Sequence, residues 1–216
     1  MQSAVDRAAS GIRALIASRA CGPGDRLPAE RELSPQLGVS RPALREAIRR
    51  LRSGGVLESR RGSGTYVVQI DLAGVYDVRA RLEPLAAERA ASYRTPAELR
   101  RLKAIVGRMR TSLAEPERFN REDAKLHALI ANASRNPVLV SALDHLGELA
   151  LLTRAIIAPQ ERIRVSSFRD VERVCTAVER QHPKRAANAM ERHLLNVRSD
   201  YLDTFVDQSS HDRADA

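Results

Sequence analysis

The chain has 216 residues, 43% of them hydrophobic, and a formal net charge of +9, enough for one or two domains with real cores and too apolar for a disordered chain. Its two cysteines, Cys21 and Cys175, stand far apart in no metal-like pair, and it has neither an N-terminal apolar signal core nor a long uninterrupted apolar stretch. Those features set aside a disulfide framework, secretion and membrane spanning, and point to the cytoplasm.

The charge is unevenly placed. Residues 1–70 carry 12 arginines, no lysine and six acidic residues, a net +6, against +3 for the remaining 146 residues. Such an asymmetry is the electrostatic footprint of a nucleic-acid-binding module. Aromatic residues make up only 3% of the chain, with no tryptophan; the abundance of Ala, Leu, Arg and Glu leans the chain toward helix.

Residues 4–20 read as an amphipathic helix with Ala8, Ile12, Leu15 and Ile16 on one stripe. Gly22-Pro23-Gly24-Asp25 breaks it. Pro28 opens a second helix over residues 29–37, which Gly38 ends in the manner of a C-cap. Ser40 is placed to N-cap a third helix from Arg41 to about Gly54, with Pro42 in the first turn, where a missing N–H does no harm. The short break Gly38-Val39-Ser40 has the length of a helix-turn-helix turn. Val56-Leu57-Glu58-Ser59 and Thr65-Tyr66-Val67-Val68 then flank the glycine turn Arg61-Gly62-Ser63-Gly64, which predicts a hairpin, a wing.

From Leu72 onward only helical patterns remain, over residues 73–93, 96–113, 117–133, 137–158, 161–181 and 183–207. Thr95-Pro96-Ala97-Glu98 is a capping box with proline at the first helical position, and Pro116, Asn136-Pro137, Pro159 and His182-Pro183 punctuate the rest. The fold expectation is a mainly α protein in two parts. Residues 1–70 form a winged helix-turn-helix with a small β-hairpin wing. Residues 71–208 form an all-α antiparallel bundle of about six helices that binds an effector and dimerises, and residues 209–216 form a polar, disordered tail.

Arg41, Arg45 and Arg49 fall four residues apart on the third helix, on the face away from Leu44, Ile48 and Leu51. An arginine edge suits the major groove, where guanidinium groups fork onto guanine or phosphate. Arg31 on the preceding helix adds a backbone or base contact, and Ser40 at the helix start is placed for a phosphate. Arg60 and Arg61 at the wing tip suit the adjacent minor groove, with Gly62 and Gly64 allowing close approach. The bland alternative, a solvated arginine face, explains neither the turn nor the wing.

In the second part, Asp123 and His127 stack one helical turn apart among Phe119, Leu126 and Ile130, while His193 lies with Met190, Leu194 and Val197. Inward-facing polar groups need partners. A divalent metal is one solution, since carboxylate plus imidazole suits zinc, nickel or manganese; a hydrogen-bonded Asp–His pair is the other. Arg79 and Arg154 are candidates to grip an effector carboxylate, with an Arg79–Glu83 helix salt bridge as the plain alternative for the former. His145 and His182 read as ordinary, the latter as a helix cap before Pro183.

Two stretches also carry a resemblance. Leu27-Pro28-Ala29-Glu30-Arg31-Glu32-Leu33, Leu37 through Ala47, and Arg61-Gly62-Ser63-Gly64-Thr65-Tyr66-Val67 resemble the winged helix-turn-helix of the GntR family of bacterial regulators. By that resemblance Arg31, Ser40, Arg41, Arg45, Arg61 and Gly62 occupy DNA-contact positions. Val78 through Ala87, Asp123-Ala124-Lys125-Leu126-His127 and Ala189 through Leu194 resemble the FadR-type ligand-binding domain, usually called FCD, in its shorter, VanR-like form. Many such domains hold a metal with one Asp and three His, and the metal helps bind a small carboxylate. Asp123, His127 and His193 match three of those positions, whereas Val171 stands where the remaining histidine is expected.

The reading is a homodimeric transcription regulator, a repressor, that binds an inverted-repeat operator under the control of a small organic acid. Two alternatives stand beside it. An effector-independent DNA-binding protein would not need inward polar groups in a helical domain. A metal-dependent hydrolase built on Asp123, His127 and His193 would leave residues 1–70 without a purpose and shows no further acid–base motif.

Overall fold

A computed structural model describes residues 3–18, 20–69, 71–157 and 159–211, with the side chains of 72 and 205–211 excepted. Among the described residues the elements run α1 (Ala4–Ala17), α2 (Glu30–Gln36), α3 (Arg41–Ser53), β1 (Leu57–Arg60), β2 (Gly64–Val67), α4 (Leu72–Tyr93), α5 (Pro96–Thr111), α6 (Pro116–Ala133), α7 (Pro137–Ile157), α8 (Glu161–Glu179) and α9 (Pro183–His211). The chain divides into two compact units. The first is Met1–Leu72 with Gly147–Ile156; the second is Ala73–Leu146 with Ile157–Ala216.

In the first unit α1 and α2 pack on α3 around a core of Ile12, Leu33, Leu44 and Leu51, all fully buried. Ser3 caps α1, its hydroxyl accepting from the Asp6 amide, and Ser40 caps α3 through the Ala43 amide. The β-hairpin pairs Leu57 with Val67 and Arg60 with Gly64, so that Leu57 and Val67 face the core while the tip stays exposed. Gly62 at the tip has φ +72, a left-handed conformation that a side chain would strain.

Three features differ from the sequence reading. Gly22–Asp25 is more than a break. The Leu27 amide donates to Thr65 O and the Val67 amide to Asp25 O, at 2.8 and 2.9 Å, so this segment lines the free edge of β2 and widens the wing. Helix α1 ends at Ala17 rather than near residue 20. Helix α9 continues to His211, past the expected end near residue 207 and into the expected tail of residues 209–216; residues 212–216 of that tail lie outside the described residues.

The first unit is also discontinuous in sequence. From α7 it takes Gly147–Ile156, whose Glu148 is buried and spends both oxygens on arginines. Oε2 accepts from Arg13 Nη1 at 2.6 Å and Oε1 from Arg50 Nε at 2.5 Å, while Arg50 also holds Asp6 at 3.0 Å. Gly54, the C-cap of α3, lies against the same side chain: a Cβ there would sit 2.5 Å from Glu148 Cβ.

In the second unit α5 pairs with α6, α8 with α9, and α5 and α6 both pack on α8. Thr95 and Glu98 form the expected capping box at the start of α5. The core draws on Leu102, Met109, Leu126, Ile130, Val174, Val178, Met190 and Leu194. Short links, Ser112–Glu115 between α5 and α6 and Arg180–His182 between α8 and α9, fold each pair back on itself.

Candidate functional site

The first unit presents its basic residues on α2, α3 and the wing. Arg41, Arg45 and Arg49 are exposed, while Leu44, Ala47 and Leu51 turn to the core and Ile48 is half-buried. Three of the DNA-contact candidates are tied to local carboxylates: Arg45 Nε to Glu30 at 2.6 Å, Arg49 to Glu46 at 2.8 Å and Arg31 to Glu32 at 3.2 Å. These are solvent-facing pairs, worth little and easily exchanged for a phosphate or a base edge. Arg41 and Arg61 hold no carboxylate among the described residues. Arg60 lies over the Tyr66 ring, 4.1 Å from its centroid, and pairs with Glu58, which stiffens the wing beside Arg61 and Gly62.

The second unit holds a buried polar cluster built by three helices. Helix α4 supplies Tyr76, Arg79 and Glu83, α6 supplies Asp123 and His127, and α9 supplies His193, all buried. Arg79 Nε donates to Glu83 Oε1 at 2.5 Å, the plain helix salt bridge expected for an i, i+4 pair. Glu83 does more than that: its Oε2 is hydrogen-bonded to His127 Nδ1. In the neutral imidazole, Nδ1 facing a carboxylate carries the proton, and the Nε2 lone pair is then left for the other side of the ring. That Nε2 is buried, 3.7 Å from Asp123 Oδ1 and without a hydrogen-bond partner. The His127 and His193 rings stack with centroids 5.3 Å apart.

Burial pushes the Glu83 carboxyl up, but Arg79 and His127 outweigh it and hold it well below the usual carboxylate range. Burial pushes His127 down, yet Glu83 and Asp123 leave it above its ordinary value. The cluster therefore concentrates charge in a dry site, where each interaction is stronger than in water.

The ligand atoms of Asp123, His127 and His193 lie within 4.8 Å of one another. An ion bonded at about 2.1 Å to each spans up to about 4.2 Å between opposite ligands, so a small inward shift seats it. The partnerless His127 Nε2 turned toward Asp123, with Nδ1 fixed by Glu83, is the arrangement a ligating imidazole needs. The residues fit a divalent metal. Val171 is fully buried on α8 and offers no donor.

Of the sequence candidates, Asp123, His127, His193 and Arg79 come together. Arg154 is buried on α7, in the stretch grouped with the first unit. The sequence reading missed Tyr76, whose buried hydroxyl has no partner, and gave Glu83 only the role of a salt-bridge partner. Arg79 Nη1 is likewise buried without a hydrogen bond, and the Arg79 guanidinium lies 5.0 Å from the Tyr76 ring centroid.

A winged helix-turn-helix joined in one chain to a helical unit with a buried polar cluster defines a DNA-binding regulator with a ligand-sensing half. Residues 4–67 match the family of bacterial regulatory proteins of the gntR type, and residues 74–196 match the FCD domain. The chain belongs to the GntR family, in its FCD-containing, FadR- and VanR-like branch, and is a transcription regulator rather than an enzyme.

It is 30% identical over 210 residues to the HTH-type transcriptional regulator LutR of Bacillus subtilis, covering 87% of this chain and 95% of that one. It is 29% identical to the Glc operon transcriptional activator of Escherichia coli, over 90% of this chain and 87% of that one. Among solved structures, Streptococcus agalactiae GntR is 27% identical with a TM-score of 0.53, covering 90% of this chain and 99% of that one. E. coli McbR/YncC shares the fold at a TM-score of 0.73 and 17% identity, over 95% of this chain and all of that one. No helix among the described residues is long and apolar enough to cross a membrane.

Proposed function

We propose that the protein acts in the cytoplasm as a homodimeric repressor. It binds an inverted-repeat operator and changes its operator affinity when a small organic acid occupies the buried cluster of the second unit. On the DNA side, Arg41, Arg45 and Arg49 face the major groove, Arg31 and Ser40 meet the backbone, and Arg61 with Gly62 enters the minor groove.

The observation that carries the sensing role is the set of partnerless polar atoms at one buried site: Tyr76 Oη, Arg79 Nη1 and His127 Nε2. Buried groups left open in this way call for a ligand that supplies the missing partners. Two of them, the Tyr76 hydroxyl and Nη1 of the Arg79 guanidinium, are donors, which selects an anion with at least two acceptor oxygens, such as a carboxylate. A zinc, nickel or manganese ion held by Asp123, His127 and His193 would add a Lewis acid for the same carboxylate, with open coordination positions because Val171 supplies no fourth ligand. Arg79 anchors the acid in this reading. The relative named as the Glc operon transcriptional activator is an activator, so the sign of control here is part of the test.

A thermal-shift panel of small organic acids, with and without each metal, tests the reading. One or more acids should raise the melting temperature of the wild type and shift operator binding in a gel assay, and Arg79→Ala should abolish both effects. Protein purified without a His tag should carry near-stoichiometric metal that Asp123→Ala loses. Substoichiometric metal in both removes the metal from the proposal, and no response to any acid in any metal state removes the effector. An effector must bind the DNA-competent and DNA-incompetent states unequally, so binding without a change in operator affinity also refutes the regulatory role.

A further inference from the structure

The hairpin of α8 and α9 carries a second feature, on the opposite kind of surface from the buried cluster. Between the two helices runs an open groove of about 730 Å³, lined by Arg169, Glu172 and Arg173 from α8, Arg180 at its C-cap, Arg185 and Arg192 from α9, and His182 at the turn. Helical spacing explains the arrangement. Positions 169, 173 and 180 are i, i+4 and i+11 on one stripe of α8, and positions 185 and 192 are i and i+7 on α9. Two arginine rails, roughly 16 Å and roughly 10 Å long at 1.5 Å per residue, therefore face one another across the groove. The floor includes Ala177 and Ala189, both buried, whose small side chains leave the space between the rails unfilled.

Apart from Arg173, which pairs with Asp170, the charge on these rails is left without an ion pair. Arg169, Arg180, Arg185 and Arg192 are exposed and make no ion pair or side-chain hydrogen bond among the described residues. Of the carboxylates at the groove, Glu172 pairs with Arg110 and Glu179 with Lys103, both outside the rails, and Asp170 pairs with the rail's own Arg173 and with Asn196. Elsewhere in the unit Arg81, Arg108, Arg118, Arg135 and Arg162 each reach a carboxylate, while the exposed Arg100 and Arg101 make no ion pair among the described residues. Self-repulsion among four free guanidinium groups is a standing cost that an anionic ligand removes.

From these observations we infer that the α8–α9 groove is a binding site for a small anion carrying at least two phosphoryl groups. One carboxylate would neutralise a single arginine. Two or more phosphoryl groups, each with several acceptor oxygens, match guanidinium forks on both rails at once. The volume lies in the range of small-ligand sites. A duplex, by contrast, would rest on the rails and leave the alanine floor empty. The site is separate from the Asp123–His127–His193 cluster and does not depend on the effector proposed there.

The test uses the full chain and inorganic tripolyphosphate, titrated calorimetrically, with sulfate at matched ionic strength as the control. Wild type should show saturable binding that sulfate does not reproduce. Arg180→Glu/Arg185→Glu should weaken it about tenfold or more, and Arg180→Lys/Arg185→Lys less, because lysine keeps the charge and loses the fork. Arg41→Ala/Arg61→Ala, in the DNA-reading face, should leave it intact, and helical circular dichroism should be unchanged in all variants. The inference fails if binding is no stronger than sulfate's, or if it is lost in the Arg41/Arg61 variant instead. It also fails if the Arg180/Arg185 charge reversal lowers the salt slope of DNA binding, which would make the groove a DNA contact. A shift of sedimentation state in that variant would make it a contact between copies, and overturns the inference equally.

Discussion

Glu148→Ala removes the acidic centre of the first unit and leaves Arg13 behind. The Arg13 side chain is 9% exposed and the Glu148 side chain 11%, so their 2.6 Å pair sits in a largely dry setting. Deleting one partner of such a pair costs about 3–5 kcal/mol, because the other charge stays buried without compensation. Arg50, with a side chain 43% exposed and Asp6 still at 3.0 Å, adds little. Arg13 keeps Ser10 at 3.3 Å, which places the expected loss at the lower end, about 3 kcal/mol. Hydrogen exchange of the α1 and α3 amides reads this unit directly. A loss of about 3 kcal/mol corresponds to exchange about 150-fold faster wherever opening of the whole unit governs it. Replacing both partners, as in Arg13→Met/Glu148→Leu, should recover most of the stability, since an apolar pair of similar volume has no charge to strand. A change below about fivefold in Glu148→Ala, or a double variant no better than the single one, would refute the buried-pair account.

Other perturbations follow from the same geometry. Gly54→Ala places a Cβ 2.5 Å from Glu148 Cβ; it should cost about 1–3 kcal/mol in the same exchange assay, and the cost should persist in a Glu148→Ala background, where that Cβ remains. Glu30→Gln frees Arg45 from its 2.6 Å pair; an exposed pair is worth about 0.2–1 kcal/mol, so operator affinity in a low-salt titration should rise by at most about fivefold, and a fall would mean that Glu30 itself contacts the operator. Burial raises the Glu98 carboxyl, but hydrogen bonds from Thr95 and Arg135 hold it below its ordinary 4.5, and Glu122 is held down likewise by Lys125 and Arg108. Carboxyls depressed in the folded state contribute stability that is complete above the unfolded value and lost as pH falls through the folded one. The urea midpoint of the second unit should therefore drop from about pH 5 toward about pH 3, and Glu98→Gln should flatten that drop. Arg45→Ala should weaken operator binding and relax preference at one base position, measured at equal salt; undiminished affinity would mean that α3 does not read the major groove.

The helical half of the fold is written in local chemistry. Thr95 with Glu98, Pro116, Pro137 and Pro183 each mark a helix start through groups within three or four residues of one another, so the boundaries fall close to where the sequence puts them. Non-local pairing left no such mark. The Asp25–Leu27 edge on β2 depends on backbone hydrogen bonds to residues 65 and 67, with no side-chain pattern to announce it. The end of α9 lies beyond the sequence expectation because its last turns carry Asp, Gln and Ser, which signal helix ends only when they cap. At the sites, Asp123 and His127 were legible because one helical turn separates them. Glu83 is 44 residues from the imidazole it orients, and Tyr76 reads as an ordinary core aromatic until its hydroxyl is found without a partner. The tethering of Arg45 by Glu30 was equally hidden, since it crosses from one helix to the next.

The reliance of Arg13 on Glu148 has a practical consequence for anyone dissecting this protein. A fragment cut after residue 72 would hold the whole match to the DNA-binding family, residues 4–67, and still lack a piece of its own interior. Its Arg13 would meet solvent or stay stranded, and the surface of α3 beside Gly54 would lose its cover. Weak DNA binding by such a fragment would then report an incomplete fold, not a missing partner or effector. Grafting Gly147–Ile156 back through a flexible linker, rather than lengthening the fragment past residue 72, is the repair that the packing prescribes.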